Sequence, residues 1–75
     1  MRVLVVEDAP DISRFIVRGL TEERYVVDLV EDGPSAVDMA SAEEYDVVVL
    51  DLMLPGLDGF EVCRRMRAGG VDTPV

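Results

Sequence analysis

Two short apolar runs, each ending on carboxylates, constrain this chain more than anything else in it. Val3-Leu4-Val5-Val6 runs into Glu7-Asp8, and Val47-Val48-Val49-Leu50 runs into Asp51-Leu52-Met53-Leu54-Pro55. An unbroken run of four branched apolar residues is the pattern of a strand buried on both faces, as in a parallel sheet covered by helices. The carboxylates then stand where those strands leave the core. In open α/β sheets that end of the strands is where ligands bind. An ionised carboxylate there is costly unless a cation meets it.

The segments between and after the runs fill in the fold. Pro10 suits the first turn of a helix, and Ile12, Phe15, Ile16, Gly19 and Leu20 recur at helical spacing as one apolar face. Tyr25 to Val30 predicts a second strand, less buried because Asp28 interrupts it. Glu31-Asp32-Gly33-Pro34 is turn chemistry leading into a second helix. That helix turns Ala36, Val37 and Ala40 inward and ends around Ser41 to Glu44. After the third strand, Leu54 to Gly59 forms a loop. Asp58 with Glu61 three residues on predicts a capping-box variant opening a third helix. Phe60, Cys63 and Met66 are its expected inward residues, with Arg64, Arg65 and Arg67 outside, where cations in the last turns complement the helix dipole. Gly69-Gly70 stop it, and Thr73-Pro74-Val75 predicts the first residues of a fourth strand.

The order is β-α-β-α-β-α followed by a stub. Alternating strands and helices imply right-handed crossovers and a doubly wound parallel sheet. With 75 residues, the chain is short for such a domain, which usually needs ~100–150. The expectation is a single domain over residues 1–75 that is incomplete at its C-terminal side.

Sixteen acidic residues face seven basic ones, all arginine, for a formal charge of −9. A balance this acidic argues against nucleic-acid binding by this segment, which would need a basic surface to neutralise phosphates. It suits a hard cation held by oxygen ligands, although most of the acids are better read as a solvated surface. Cys63 is the sole cysteine, so no disulfide forms within one chain. A lone cysteine on an apolar helical face, like Met39, Met53 and Met66, is read as packing. No signal peptide and no membrane-spanning stretch is evident, and a cytoplasmic location is expected.

If the first and third strands are adjacent and parallel, Glu7, Asp8 and Asp51 meet at one sheet edge. Three crowded carboxylates repel one another and force a proton onto one of them unless a cation intervenes. Mg²⁺ takes carboxylate and carbonyl oxygens and commonly works with phosphate. A carboxylate beside it can act as nucleophile toward a phosphoryl group. Asp8 alone could equally be a helix cap, but three acids that each terminate an apolar strand favour a site.

Val3 to Asp8, the Glu31-Asp32-Gly33 turn and Asp51-Leu-Met-Leu-Pro-Gly-Leu-Asp-Gly-Phe60 together resemble the receiver domain of two-component response regulators. The resemblance runs from Met1 to Val75, and the segment from Asp51 to Phe60 is most similar to the class with a winged-helix DNA-binding output. It implies a flavodoxin-like sheet in the order 2-1-3-4-5. It implies that Asp51 is the phosphoacceptor, charged by a histidine kinase. It further implies that Asp8 ligates Mg²⁺ directly, that Glu7 acts through a coordinated water, and that the Met53 backbone carbonyl is a further ligand. Pro55 and Gly56 would shape the loop after the acceptor, and DNA would be contacted only by an output domain outside this chain.

The sequence departs from the family in two places. Arg24 stands where glycine is common before the second strand. The family's switch threonine or serine and its lysine would both fall after Val75, and Thr73 is not that switch residue. An exposed outer edge on the third strand would then invite self-association. Two other functions remain open. An aspartyl-nucleophile phosphatase would want a second Asp two residues after Asp51, where Met53 stands. A phosphorylation-independent, self-associating interaction module would need no lysine or switch residue.

Overall fold

The computed structural model describes all residues from Met1 to Val75. Its elements alternate as the apolar pattern requires: β1 (Arg2–Val6), α1 (Pro10–Glu22), β2 (Val26–Val30), α2 (Gly33–Ala42), β3 (Val47–Leu50) and α3 (Gly59–Ala68). The strands form one parallel sheet in the order β2-β1-β3, the first three positions of the flavodoxin-like order. Val6 lies level with Leu50 across the β1–β3 pair. This register brings Glu7 beside Asp51.

Each helix boundary has a local cause. Pro10 opens α1, which has no side-chain cap. Asp32 caps α2 by accepting from the Ser35 amide at 2.7 Å. Asp58 caps α3 by accepting from the Glu61 amide at 2.8 Å. Only half of the expected capping box forms, because the Glu61 carboxylate turns away to Arg64 and Arg65. At the end of α1 the Arg24 amide donates to Thr21 O and the Tyr25 amide to Leu20 O. This paired arrangement needs a left-handed residue, and Arg24 adopts φ +67° to supply it. The position where the family commonly carries glycine is therefore one that favours glycine.

Side chains alternate across the sheet, and the two faces are filled differently. Leu4, Val6 and Val48 join Ala36, Ala40, Tyr45, Val62 and Met66 in one buried cluster under α2 and α3. On the opposite face Val3 and Val5 are fully buried, while α1 above them buries only Ser13. Phe15 is 80% exposed there, and Ile12 is also exposed.

Three inward assignments are corrected. The first concerns α3, which buries Val62 and Met66 rather than Phe60; Phe60 is 73% exposed and Cys63 half-buried. The helix packs beside α2, and that placement selects the 62/66 side of its apolar arc. The second is the Ile12–Phe15 side of α1, which meets solvent. The third is β3, which is not buried on both faces, since Val49 on the α1 side is 39% exposed.

Residues 73–75 run beside the outer edge of β3 without forming a regular strand. Pro74 O accepts from the Val48 amide at 2.8 Å, so the chain itself occupies part of the edge expected to be open.

Candidate functional site

Glu7, Asp8 and Asp51 meet at the carboxyl end of β1 and β3. One ligand oxygen from each can be chosen so that all three lie within 4.8 Å of one another. Backbone bonding fixes the platform beneath them. The Asp51 amide donates to Val6 O at 3.1 Å on one side of β1, and the Glu7 amide to Val30 O at 3.1 Å on the other. The three environments differ: Glu7 is buried, Asp51 half-buried and Asp8 exposed.

Burial, then the hydrogen bond to Asp51 and its charge, push the Glu7 carboxyl above the usual carboxylate range. The charge of Asp8 adds to this, and the Ala9 amide acts weakly in the opposite sense. No arginine takes part in an ion pair with any of the three acids. A buried carboxylate pressed against a second one, with all-oxygen donors and no basic partner, is the condition that a hard divalent cation relieves. The residues present fit Mg²⁺.

The loop after Asp51 contributes through its backbone. The Met53 amide donates to Asp51 Oδ1 at 3.1 Å, which restrains that carboxylate. The Met53 side chain is 84% exposed, so it is not the packing residue expected. An open groove lined by Ile12, Ile16, Val49 and Leu50 runs up to Glu7 and Asp51 from the α1 side.

Two contacts here were missed in the sequence. One is the Met53 amide, since the family resemblance points only to that residue's carbonyl. The other is Gly59, whose amide donates to Leu52 O at 2.9 Å and which lies against the backbone of residues 51 and 52. A glycine at the first position of a helix, soon after a candidate nucleophile, was the available signal, because glycine is the residue that lets backbone approach closely.

Residues 3–75 match the response regulator receiver domain family. The chain belongs to this family. Receiver domains of response regulators are signalling modules rather than turnover enzymes.

Among curated relatives, the transcriptional regulatory protein TcrA of Mycobacterium tuberculosis is 55% identical over 75 residues, which is 100% of this chain and 30% of that protein. Among solved structures, the receiver domain of a sensor histidine kinase from Pseudomonas aeruginosa PAO1, with a magnesium ion coordinated in its active site cleft, superposes with a TM-score of 0.87. It is 40% identical, over 89% of this chain and 55% of that one. A complex of histidine kinase ThkA with response regulator TrrA of Thermotoga maritima matches with a TM-score of 0.86 at 38% identity. That match covers 96% of this chain and 62% of the matched chain. No helix is long and apolar enough to cross a membrane.

Proposed function

We propose that this receiver chain accepts a phosphoryl group on Asp51 from a partner histidine kinase, with Mg²⁺ held by Glu7, Asp8, Asp51 and the Met53 carbonyl. Residues 1–75 would form the N-terminal part of the receiver in a cytoplasmic protein that continues into a DNA-binding, transcription-regulating output domain. The convergence of Glu7, Asp8 and Asp51 within 4.8 Å carries this reading. The magnesium in the Pseudomonas receiver and the kinase in the Thermotoga complex support it by likeness.

The chemistry follows from the residues. A carboxylate oxygen of Asp51 attacks phosphorus, forming an acyl phosphate. The bond from phosphorus to the donor histidine nitrogen breaks, and its electron pair stays on the imidazole. When bound, Mg²⁺ lowers the repulsion between the acceptor and the phosphoryl oxygens. The Met53 amide restrains the carboxylate in advance, which reduces the entropy lost in reaching the attack geometry. Glu7 and Asp8 supply the negative charge that draws in the cation. Met53 stands where an aspartyl-nucleophile phosphatase would place its second acid, and the first position of that pair alone gives an acceptor without a turnover partner.

Incubating the full-length protein with acetyl phosphate and Mg²⁺ tests the reading by intact mass. The expected product is a single, base-labile phosphoryl adduct, absent in Asp51→Asn and absent when the metal is chelated. An adduct that survives Asp51→Asn overturns the assignment of the acceptor. Sustained hydrolysis of a phosphoester favours the phosphatase, and an unmodified wild-type protein favours the interaction module.

A further inference from the structure

We infer that Gly59 is a positioning residue for Asp51, holding the acceptor backbone in register with α3; this rests on the phosphoacceptor reading above. Gly59 is the first residue of α3 and is buried. It has none of the positive φ seen at Gly56 and Gly70, so its missing side chain answers to space rather than to backbone freedom. A Cβ on Gly59 would lie 2.7 Å from Leu52 Cα and 2.8 Å from Asp51 O. Both are backbone atoms and cannot rotate aside. A third contact, Leu52 Cδ2 at 3.0 Å, belongs to a half-exposed side chain that can move.

The hydrogen bond from the Gly59 amide to Leu52 O closes the loop at the same point. Asp58 immediately before it is the cap that starts α3. The end of β3 and the start of α3 are therefore set against each other at the peptide joining Asp51 to Leu52. Any side chain at 59 must separate them. Displacing that peptide moves the Asp51 carboxylate away from Glu7 and Asp8, and it moves the Met53 amide that restrains Oδ1. Catalytic geometry tolerates about 0.5 Å of error, and a misplacement of about 1 Å can lower a rate by about 100-fold.

Gly59→Ala in the full-length protein, assayed with acetyl phosphate and Mg²⁺, tests the inference. A control is Val62→Ala, which opens a cavity in the same helix without pressing on residues 51 and 52. Both variants are made in an Arg24→Gly background, which relieves the left-handed arginine far from the site and gives room for a loss of stability. Among folded molecules, Gly59→Ala is expected to slow Asp51 phosphorylation at saturating donor by about tenfold or more and to weaken Mg²⁺ binding measured by titration. Val62→Ala is expected to keep both near wild type per folded molecule. Equal losses in the two variants, or losses in Gly59→Ala that follow only the folded fraction, assign Gly59 a merely structural role and overturn the inference. An unmodified wild-type protein overturns the acceptor reading and the Gly59 role together, whereas a modified wild type with an unimpaired Gly59→Ala overturns only the latter.

Discussion

The two faces of the sheet use the same kinds of residue to different effect. Under α2 and α3, eight buried side chains close into one cluster, from Leu4 and Val6 of β1 to Val62 and Met66 of α3. Under α1, Val3 and Val5 are just as buried, but the helix above them turns Ile12 and Phe15 to solvent and buries a serine. The buried Ser13 hydroxyl donates to Pro10 O at 3.1 Å, so its polarity is met within the helix. The closed face is made by two helices packing on each other as well as on the sheet, while the α1 face has one helix spanning a surface wider than itself. Apolar sequence identifies residues able to be covered. Coverage itself depends on how many elements lie on that face.

The largest test of this contrast deletes one side chain from each face. Leu4→Ala removes a fully buried residue from the closed cluster and is expected to cost about 2–5 kcal/mol. That is comparable with the whole stability of a chain this short, so urea unfolding should show the variant largely unfolded. Phe15→Ala, at an exposed position of α1, should stay within about 0.5 kcal/mol of wild type. A loss at Phe15 as large as that at Leu4 would mean the α1 face of the 75-residue chain is covered.

Glycines sharpen the same comparison at a smaller scale. A Cβ on Gly33 of α2 would meet Leu57 Cβ at 2.5 Å and Leu57 O at 2.9 Å, whereas one on Gly19 of α1 would meet nothing within 4 Å. Gly33→Ala is therefore expected to destabilise by about 1–3 kcal/mol through overpacking. Gly19→Ala should stabilise by about 0.5–1 kcal/mol, since alanine is the better helix former and restricts the unfolded chain. Thermal melts that move in opposite directions confirm the contrast. Parallel shifts would show that the two helices are equally confined.

These cases also show what could be read from the residues alone. The unbroken apolar runs announced β1 and β3. Because parallel neighbours share a direction, they also announced that Glu7, Asp8 and Asp51 would meet. Asp32 and Asp58 announced the starts of α2 and α3. The choice between Phe60 and Val62 as the inward residue of α3 was not legible, since both lie on one apolar arc. What selects Val62 is the position of α2, which no local pattern encodes. Gly59 was hidden for a related reason. Its importance lies in the backbone of residues 51 and 52, which approaches it only after the loop has closed.

A polar latch lies at the lower end of the closed face, where the expected cost is smaller than that of opening the core at Leu4. The Tyr45 hydroxyl donates to Asp28 Oδ2 at 2.7 Å. Arg2 approaches the same oxygen at 3.3 Å and lies over the Tyr45 ring at 5.2 Å from its centroid. Burial first, and then the hydrogen bond to Asp28, push the Tyr45 hydroxyl from its ordinary value of 10.0 up to about 12. A raised value means the folded state favours the protonated phenol. The latch is therefore intact below pH 10, and its contribution is lost as pH rises from 10 toward about 12. Tyr45→Phe keeps the ring beneath Arg2 and removes the donor, so it should cost about 1 kcal/mol at neutral pH. Urea midpoints measured across the alkaline range should fall more steeply in wild type than in Tyr45→Phe, and the two should converge toward pH 12. Parallel curves would show that Asp28 is held by Arg2 alone and that the closed face owes its stability to packing without the latch.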